Sequence, residues 1–243
     1  DKRNFCAFSS NLTCLVDANL VELKLNYKKL IDFLSLEVGQ INTTFFDQIK
    51  KLMPSEILTI GKKSRLCKYN YQVKLADERT GRPIQDFKDH FENAVKRSLH
   101  RKNNLGLLLS GGLDSSAVAT GLHNSGIEDV QTFSANYLHL PEGLKNKTDE
   151  TKFQMMVSEK FGYKHTSVPV ENISPFESLK SQSKYFSEPT FFPNLYIFDQ
   201  LAKTASRENI AIMYDGQDGD TTISHGLERI FELFQRKNIF LLV

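Results

Sequence analysis

The spacing of apolar residues changes character near residue 83. Before it, short apolar groups alternate with polar ones, and residues 4–8 and 13–16 read as brief strands. From Asn26 onward, Tyr27, Leu30, Ile31 and Leu34 recur at 3.6 spacing and predict an amphipathic helix. Residues 44–52 predict a further helical turn or two, stopped before Pro54. Residues 56–60 and 65–69 are two strand-like runs around Gly61 and Lys62, the pattern of a hairpin. Residues 75–83, with Asp77, Arg79, Thr80, Gly81 and Pro83, carry turn chemistry and little apolar content, and read as a linker.

Beyond the linker the rhythm is longer and more regular. Phe87, Phe91, Ala94, Val95 and Leu99 share one face of a strong helix. Residues 105–109 are a continuous apolar run, 114–123 are helical, and 130–135 are apolar again, which is a strand–helix–strand unit. The alternation goes on with a helix at 149–161, a strand at 165–170 and a helix from Ser174 and Pro175. A helix at 194–207, a strand at 210–214 and a helix around 228–235 complete it. Strands separated by helices imply an α/β fold, a parallel sheet with helices on both faces. Such sheets bind ligands beyond the carboxyl ends of their strands, so the turns after Leu109, Ala135 and Tyr214 are the places to look for chemistry.

Composition narrows the classes. A chain of 243 residues holds one large domain or one and a half, and 40% hydrophobic with 25% charged residues excludes a disordered or collagen-like protein. A formal charge of +2 argues against a nucleic-acid binder. Cys6, Cys14 and Cys67 form no CxxC pair, which disfavours a disulfide framework or a thiolate metal site and suits reduced, partly buried thiols. No apolar run is long enough for a membrane span, and the opening residues hold no signal-peptide core. A cytoplasmic protein is expected, with the Asn-x-Ser/Thr triplets at Asn11, Asn42, Asn146 and Asn172 incidental.

The turn after the first of these strands reads Leu109-Ser110-Gly111-Gly112-Leu113-Asp114-Ser115-Ser116. Two glycines let backbone N–H groups approach a ligand, three serines add hydroxyls, and a helix begins immediately behind. That set suits a pyrophosphate. Asp114 fits beside phosphate when a cation lies between them, which points to Mg²⁺. SGGLDSS after an apolar strand resembles the PP-loop of ATP pyrophosphatases, and LLLSGGLDSSAVA is similar to the asparagine synthetase branch. The resemblance implies the adenine nucleotide alpha-hydrolase-like fold, ATP as substrate, and adenine against the backbone around Ala135. Asp149-Glu150, His165 and Glu188-Pro189 resemble further family positions.

A second turn, Tyr214-Asp215-Gly216-Gln217-Asp218-Gly219-Asp220, packs three carboxylates and two glycines after an apolar strand. Carboxylates that close require a compensating charge, again Mg²⁺ with a phosphate-rich ligand. It resembles the family's Ser-Gly-Glu-Gly-x-Asp-Glu turn. On that likeness Asp114 and Asp220 hold the metal, Asp215 and Gly216 contact nucleotide, and Asp114, Gln217 and Asp220 occupy catalytic positions. Gln217, however, replaces an acid, Asp218 a Gly and Thr221 the last Glu. Gln neither takes nor gives a proton, so general-base work is lost there.

Residues 1–78 resemble the back half of the family's N-terminal glutamine-hydrolysing domain, a partial α+β unit, and residues 79–243 its ATP-binding domain, incomplete at the carboxyl end. That amidotransferase domain uses a cysteine at position one, whereas this chain opens on Asp1 and Cys6 is not terminal. The expected activity is an amide-forming ligase. It would activate a carboxylate as an acyl-adenylate with release of pyrophosphate, and ammonia or an amine would then displace AMP. Glutamine or ammonia would supply the nitrogen, a small-molecule or peptide carboxylate the acceptor, and a homodimer is compatible with the pattern. A tailoring enzyme acting on another carboxylate, of lasso-peptide cyclase or β-lactam synthetase type, and an inactive nucleotide-binding remnant are the alternatives.

Overall fold

A computed structural model describes residues 5–37, 39–61, 65–69, 82–99, 104–137, 141, 143, 149–171, 173–186, 188–189 and 192–220. The expected helix around 228–235 and most of the linker at 75–83 lie outside them. The chain forms two compact units, Asp1–Asp77 with Phe176–Pro193, and Glu78–Pro175 with Asn194–Val243.

In the first unit, residues 5–8 form no strand, and 13–16 lie in helix α1 (Leu12–Asp17). Asn11 decides this locally, because its side chain accepts from the Thr13 N–H at 2.9 Å and caps the helix against the β preference of Thr13 and Val16. Helix α2 (Tyr27–Leu34) is capped in the same way by Asn26, which accepts from the Lys29 N–H at 3.0 Å. Its apolar face is as the spacing predicts, yet Tyr27, Ile31 and Leu34 are all exposed. Residues 44–52 are turns rather than helix. The buried Thr44 hydroxyl donates to the carbonyls of Phe46 and Ile49 at 2.9 Å and accepts from the Phe46 N–H at 3.1 Å, occupying groups a helix would need. Strands β1 (Glu56–Thr59) and β2 (Arg65–Lys68) pair antiparallel, as the hairpin pattern predicts. Cys6 and Cys14 are free and exposed rather than partly buried; Cys67 is free and half-buried.

In the second unit, helix α3 (Pro83–Ser98) starts on proline, whose fixed φ suits a first helical turn. Strand β3 (Leu105–Leu108), helix α4 (Leu113–Asn124) and strand β4 (Val130–Asn136) follow, then helix α5 (Thr151–Phe161) and strand β5 (Lys164–Pro169). Helix α6 (Pro175–Gln182) carries the chain into the first unit. There Glu188 accepts from the Phe45 N–H at 2.6 Å and pairs with Lys51 at 3.1 Å. Helix α7 (Leu195–Arg207) and strand β6 (Ile212–Tyr214) return to the second unit.

The sheet runs β5-β4-β3-β6 and every pairing is parallel, with Leu105 level with Val130 on one side and Ile212 on the other. Alternate residues of β4 face opposite layers. One layer holds Leu107, Leu109, Ala119, Leu122, Val130 and Tyr163, closed by α3, α4 and α5. The other gathers Phe133, Val168, Leu201 and Ala205 beneath α7. The sheet is therefore covered on both faces, as the continuous apolar strands predict. From β3 the chain proceeds one way to β4 and β5, and places β6 on the opposite side, so the strand order reverses at the carboxyl end of β3.

Candidate functional site

The turn at the end of β3 is built by its glycines and serines. Gly111 adopts φ +92°, a conformation glycine accepts without strain. It rests on the start of α5, where a Cβ would meet the Glu150 carbonyl oxygen at 3.1 Å. The Ser110 hydroxyl accepts from the Gly112 N–H at 3.2 Å and meets the Ser115 hydroxyl at 3.1 Å, while the Ser116 hydroxyl donates to the Gly112 carbonyl at 2.7 Å. Gly112 occupies the N-cap of α4 and supplies no side-chain acceptor. The first amides of α4 thus lack intrahelical partners, and the helix end favours an anion.

The turn after β6 is pressed onto that helix end. A Cβ on Gly216 would lie 2.5 Å from the Ser115 nitrogen, and one on Gly219 would run into the Asp114 carboxylate. At 216 the clash is with backbone, so only glycine there lets the two turns meet, whereas at 219 it is with the movable end of the Asp114 side chain. Within the second turn the Asp215 carboxylate accepts from the Gln217 N–H at 3.1 Å. Asp218 adopts φ +65°, the left-handed region. Asp is among the few side chains that tolerate it, which explains how this position departs from the family's glycine without unmaking the turn.

A cleft of about 1190 Å³ opens above these turns. Leu109, Ser110, Gly112, Leu113, Asp114, Ser115, Ala135, Asp215, Gly216, Gln217 and Asp220 all line it, so nearly every residue singled out from the sequence reaches one space. Gly111 and Ser116 do not line it and brace the loop from behind. Asp149 and Glu150 also border the cleft, and the Asp149 carboxylate accepts from the Thr151 N–H at 3.0 Å at the start of α5.

His165 and Glu188 do other work. His165 Nδ1 lies 2.9 Å from the buried Thr132 hydroxyl, and burial holds the imidazole below its ordinary value. Glu188 belongs to the first unit. Sequence reasoning missed the apolar wall from α7 (Ile197, Phe198 and Leu201) and the buried Gln154 of α5, whose Nε2 donates to the Ser110 carbonyl at 3.1 Å. The periodicity of α7 carried a signal for the first; nothing in the sequence marked the second. Tyr137 sits at the cleft edge with its hydroxyl 3.0 Å from that of Tyr196. Partial burial, and then this hydrogen bond, push the Tyr137 phenol up to about 12.

Among the described residues no cluster of three or more His, Cys, Asp or Glu is poised for a metal. Mg²⁺ asks for less. It keeps several waters and takes one or two carboxylates plus phosphate oxygens. Asp114 and Asp220 in one cleft, with Gly219 leaving the Asp114 carboxylate room, fit that requirement.

The family model described as asparagine synthase matches residues 86–240. The chain belongs to the asparagine synthase family. No curated protein sequence matches significantly. Among solved structures, the chain is similar to an NH3-dependent NAD synthetase from Campylobacter jejuni subsp. jejuni, with 15% identity and TM-score 0.37 over 53% of this chain and 54% of that one. It is also similar to a U34-tRNA thiolase from Methanococcus maripaludis, with 19% identity and TM-score 0.39 over 55% of this chain and 46% of that one. The match thus spans about half the length of each. No helix among the described residues is long and apolar enough to cross a membrane.

Proposed function

We propose that the cleft binds Mg·ATP and activates a carboxylate as its acyl-adenylate, releasing pyrophosphate, for attack by ammonia or an amine. The observation that carries this reading is the close seating of the 215–220 turn on the first turn of α4, which brings Asp114 and Asp220 to one cleft with the phosphate-binding amides. The amides of residues 112–115 and the hydroxyls of Ser110 and Ser115 hold the pyrophosphate as it leaves. Asp114 and Asp220 hold Mg²⁺, which when bound neutralises charge on the phosphate oxygens. Backbone near Ala135 and Gly216 receives adenosine, and the α7 wall keeps water from the reacting carboxylate. Nearly all of the catalysis on this reading is positioning and charge stabilisation.

The amino-terminal unit we read as the rear of a glutamine-hydrolysing domain, the nitrogen source as glutamine or ammonia, and the compartment as cytoplasm. Gln217 favours a second form of the reading, in which the carboxylate is not aspartate, because the family's acid is replaced by a group that moves no proton. The test is pyrophosphate release from Mg·ATP across a panel of carboxylates with ammonia supplied. Release dependent on aspartate supports an asparagine synthetase, and release with another acid a tailoring ligase. Bound Mg·ATP with no release from any acid overturns the ligase reading. Gln217→Glu should raise aspartate-dependent release; an unchanged rate argues against aspartate.

A further inference from the structure

Helix α7 is held unevenly along its length. Leu201 and Ala205 are buried in one cluster with Phe133 and Val168 of the sheet. Ile197 and Phe198, in the first turn, are only half-buried, yet both line the cleft beside Asn194. Asn194 at the N-cap gives no side-chain hydrogen bond to the helix, so that end lacks the tie that most limits fraying.

A pair of phenols supplies one. Tyr137 follows β4 directly, two positions past Ala135, and both residues line the cleft. The Tyr137 hydroxyl lies 3.0 Å from that of Tyr196, the second residue of α7, and one donates to the other. Tyr196 does not line the cleft. The bond thus runs from the carboxyl end of the sheet to the first turn of the α7 wall. Burial pushes the Tyr137 phenol up to about 12, so the pair stays neutral at any ordinary assay pH. In the reading above, adenosine lies against the backbone near Ala135 and Gly216, and the pyrophosphate at residues 112–115. The end of the cleft that the two phenols span is therefore the nucleoside half.

We infer that Tyr137 and Tyr196 form a clasp that sets the width of the nucleoside half of the cleft, both acting as positioning residues. The nucleoside rests on the ligase reading, and the clasp is testable without it.

Tyr137→Phe, Tyr196→Phe and the double variant keep the rings and remove the hydroxyl pair. Calorimetry compares Mg·ATP with Mg·pyrophosphate, which occupies the phosphate half alone. Each single substitution should weaken Mg·ATP about three- to tenfold, the range for one hydrogen bond. The double variant should lose no more than either single one, because both remove the same bond. Pyrophosphate affinity should be unchanged throughout, whereas a general loosening of the fold would move both ligands. In the free chain, the Ile197 and Phe198 amides donate to the Asn194 carbonyl at 3.0 and 3.4 Å. Their hydrogen exchange should quicken by a similar factor in each variant. Unchanged exchange, losses that multiply in the double variant, parental Mg·ATP affinity in either single variant, or an equal loss for pyrophosphate would overturn the inference. A parent chain that binds no Mg·ATP would overturn the ligase reading, and with it the nucleoside as what the clasp holds; the exchange result judges the clasp by itself.

Discussion

Single atoms decide how the two turns of the cleft meet. A methyl group at position 216 has no room against the Ser115 nitrogen, so Gly216→Ala must push the turn away from α4. The expected cost is about 1–3 kcal/mol, typical of overpacking, together with weaker Mg·ATP binding, measured by urea unfolding and calorimetry on the same sample. A fully stable variant with unchanged affinity would show that the turns do not bear on each other. At Asp218 the strain lies in the backbone instead. Asp218→Val should be less stable than Asp218→Gly by about 1–2 kcal/mol, because a branched side chain is penalised in the left-handed region. Equal unfolding midpoints for the two variants would contradict that conformation.

At the scale of elements, α5 and β5 are tied to the rest of the sheet by buried polar groups. The Tyr163 hydroxyl donates to the carbonyls of Ala119 and Ile127 at 3.4 and 3.2 Å, and burial pushes its phenol up to about 12. Tyr163→Phe should cost about 0.5–1.5 kcal/mol, and the tyrosines that resist ionisation in an alkaline absorbance titration, Tyr137 and Tyr163 in the parent chain, should fall to Tyr137 alone. For His165 the folded-state value lies below the ordinary 6.5, so the unfolded chain takes the proton first as the pH falls. The stability tied to the neutral ring is fully present above 6.5 and is lost as the pH drops from there through the folded-state value. The difference in urea midpoint between pH 7.5 and 5.5 should therefore shrink in His165→Asn, and an unchanged difference would exclude this source. The strands and helices of this unit were legible because burial on both faces leaves unbroken apolar runs between amphipathic helices. The phosphate turn was legible because its glycines and serines are contiguous. Thr13 to Val16 and residues 44–52 misled because single polar side chains, Asn11 and Thr44, captured backbone groups and overrode local preference. Gln154 was illegible because its burial comes from the loop it supports, forty-four positions away.

For the whole molecule, ligand binding and chain layout have separate consequences. Mg·ATP at a hundredfold excess over its dissociation constant should add about 2.7 kcal/mol of stability. Asp114→Ala should remove the magnesium dependence of that gain in a thermal-shift assay; if it does not, the metal is held elsewhere. The layout bears on the order of events during synthesis. Glu188 is made 143 residues after Phe45, whose amide it caps, and the intervening chain holds β3, β4 and β5. A chain growing from its amino end therefore cannot finish its first unit until most of the parallel sheet has left the ribosome. The apolar side chains of α2 and of the β1–β2 hairpin, Ile31, Leu34, Ile57 and Leu66 among them, are exposed throughout that interval and stay exposed in the folded chain. A unit begun before the sheet is thus finished after most of it, and chaperone dependence should be sought there.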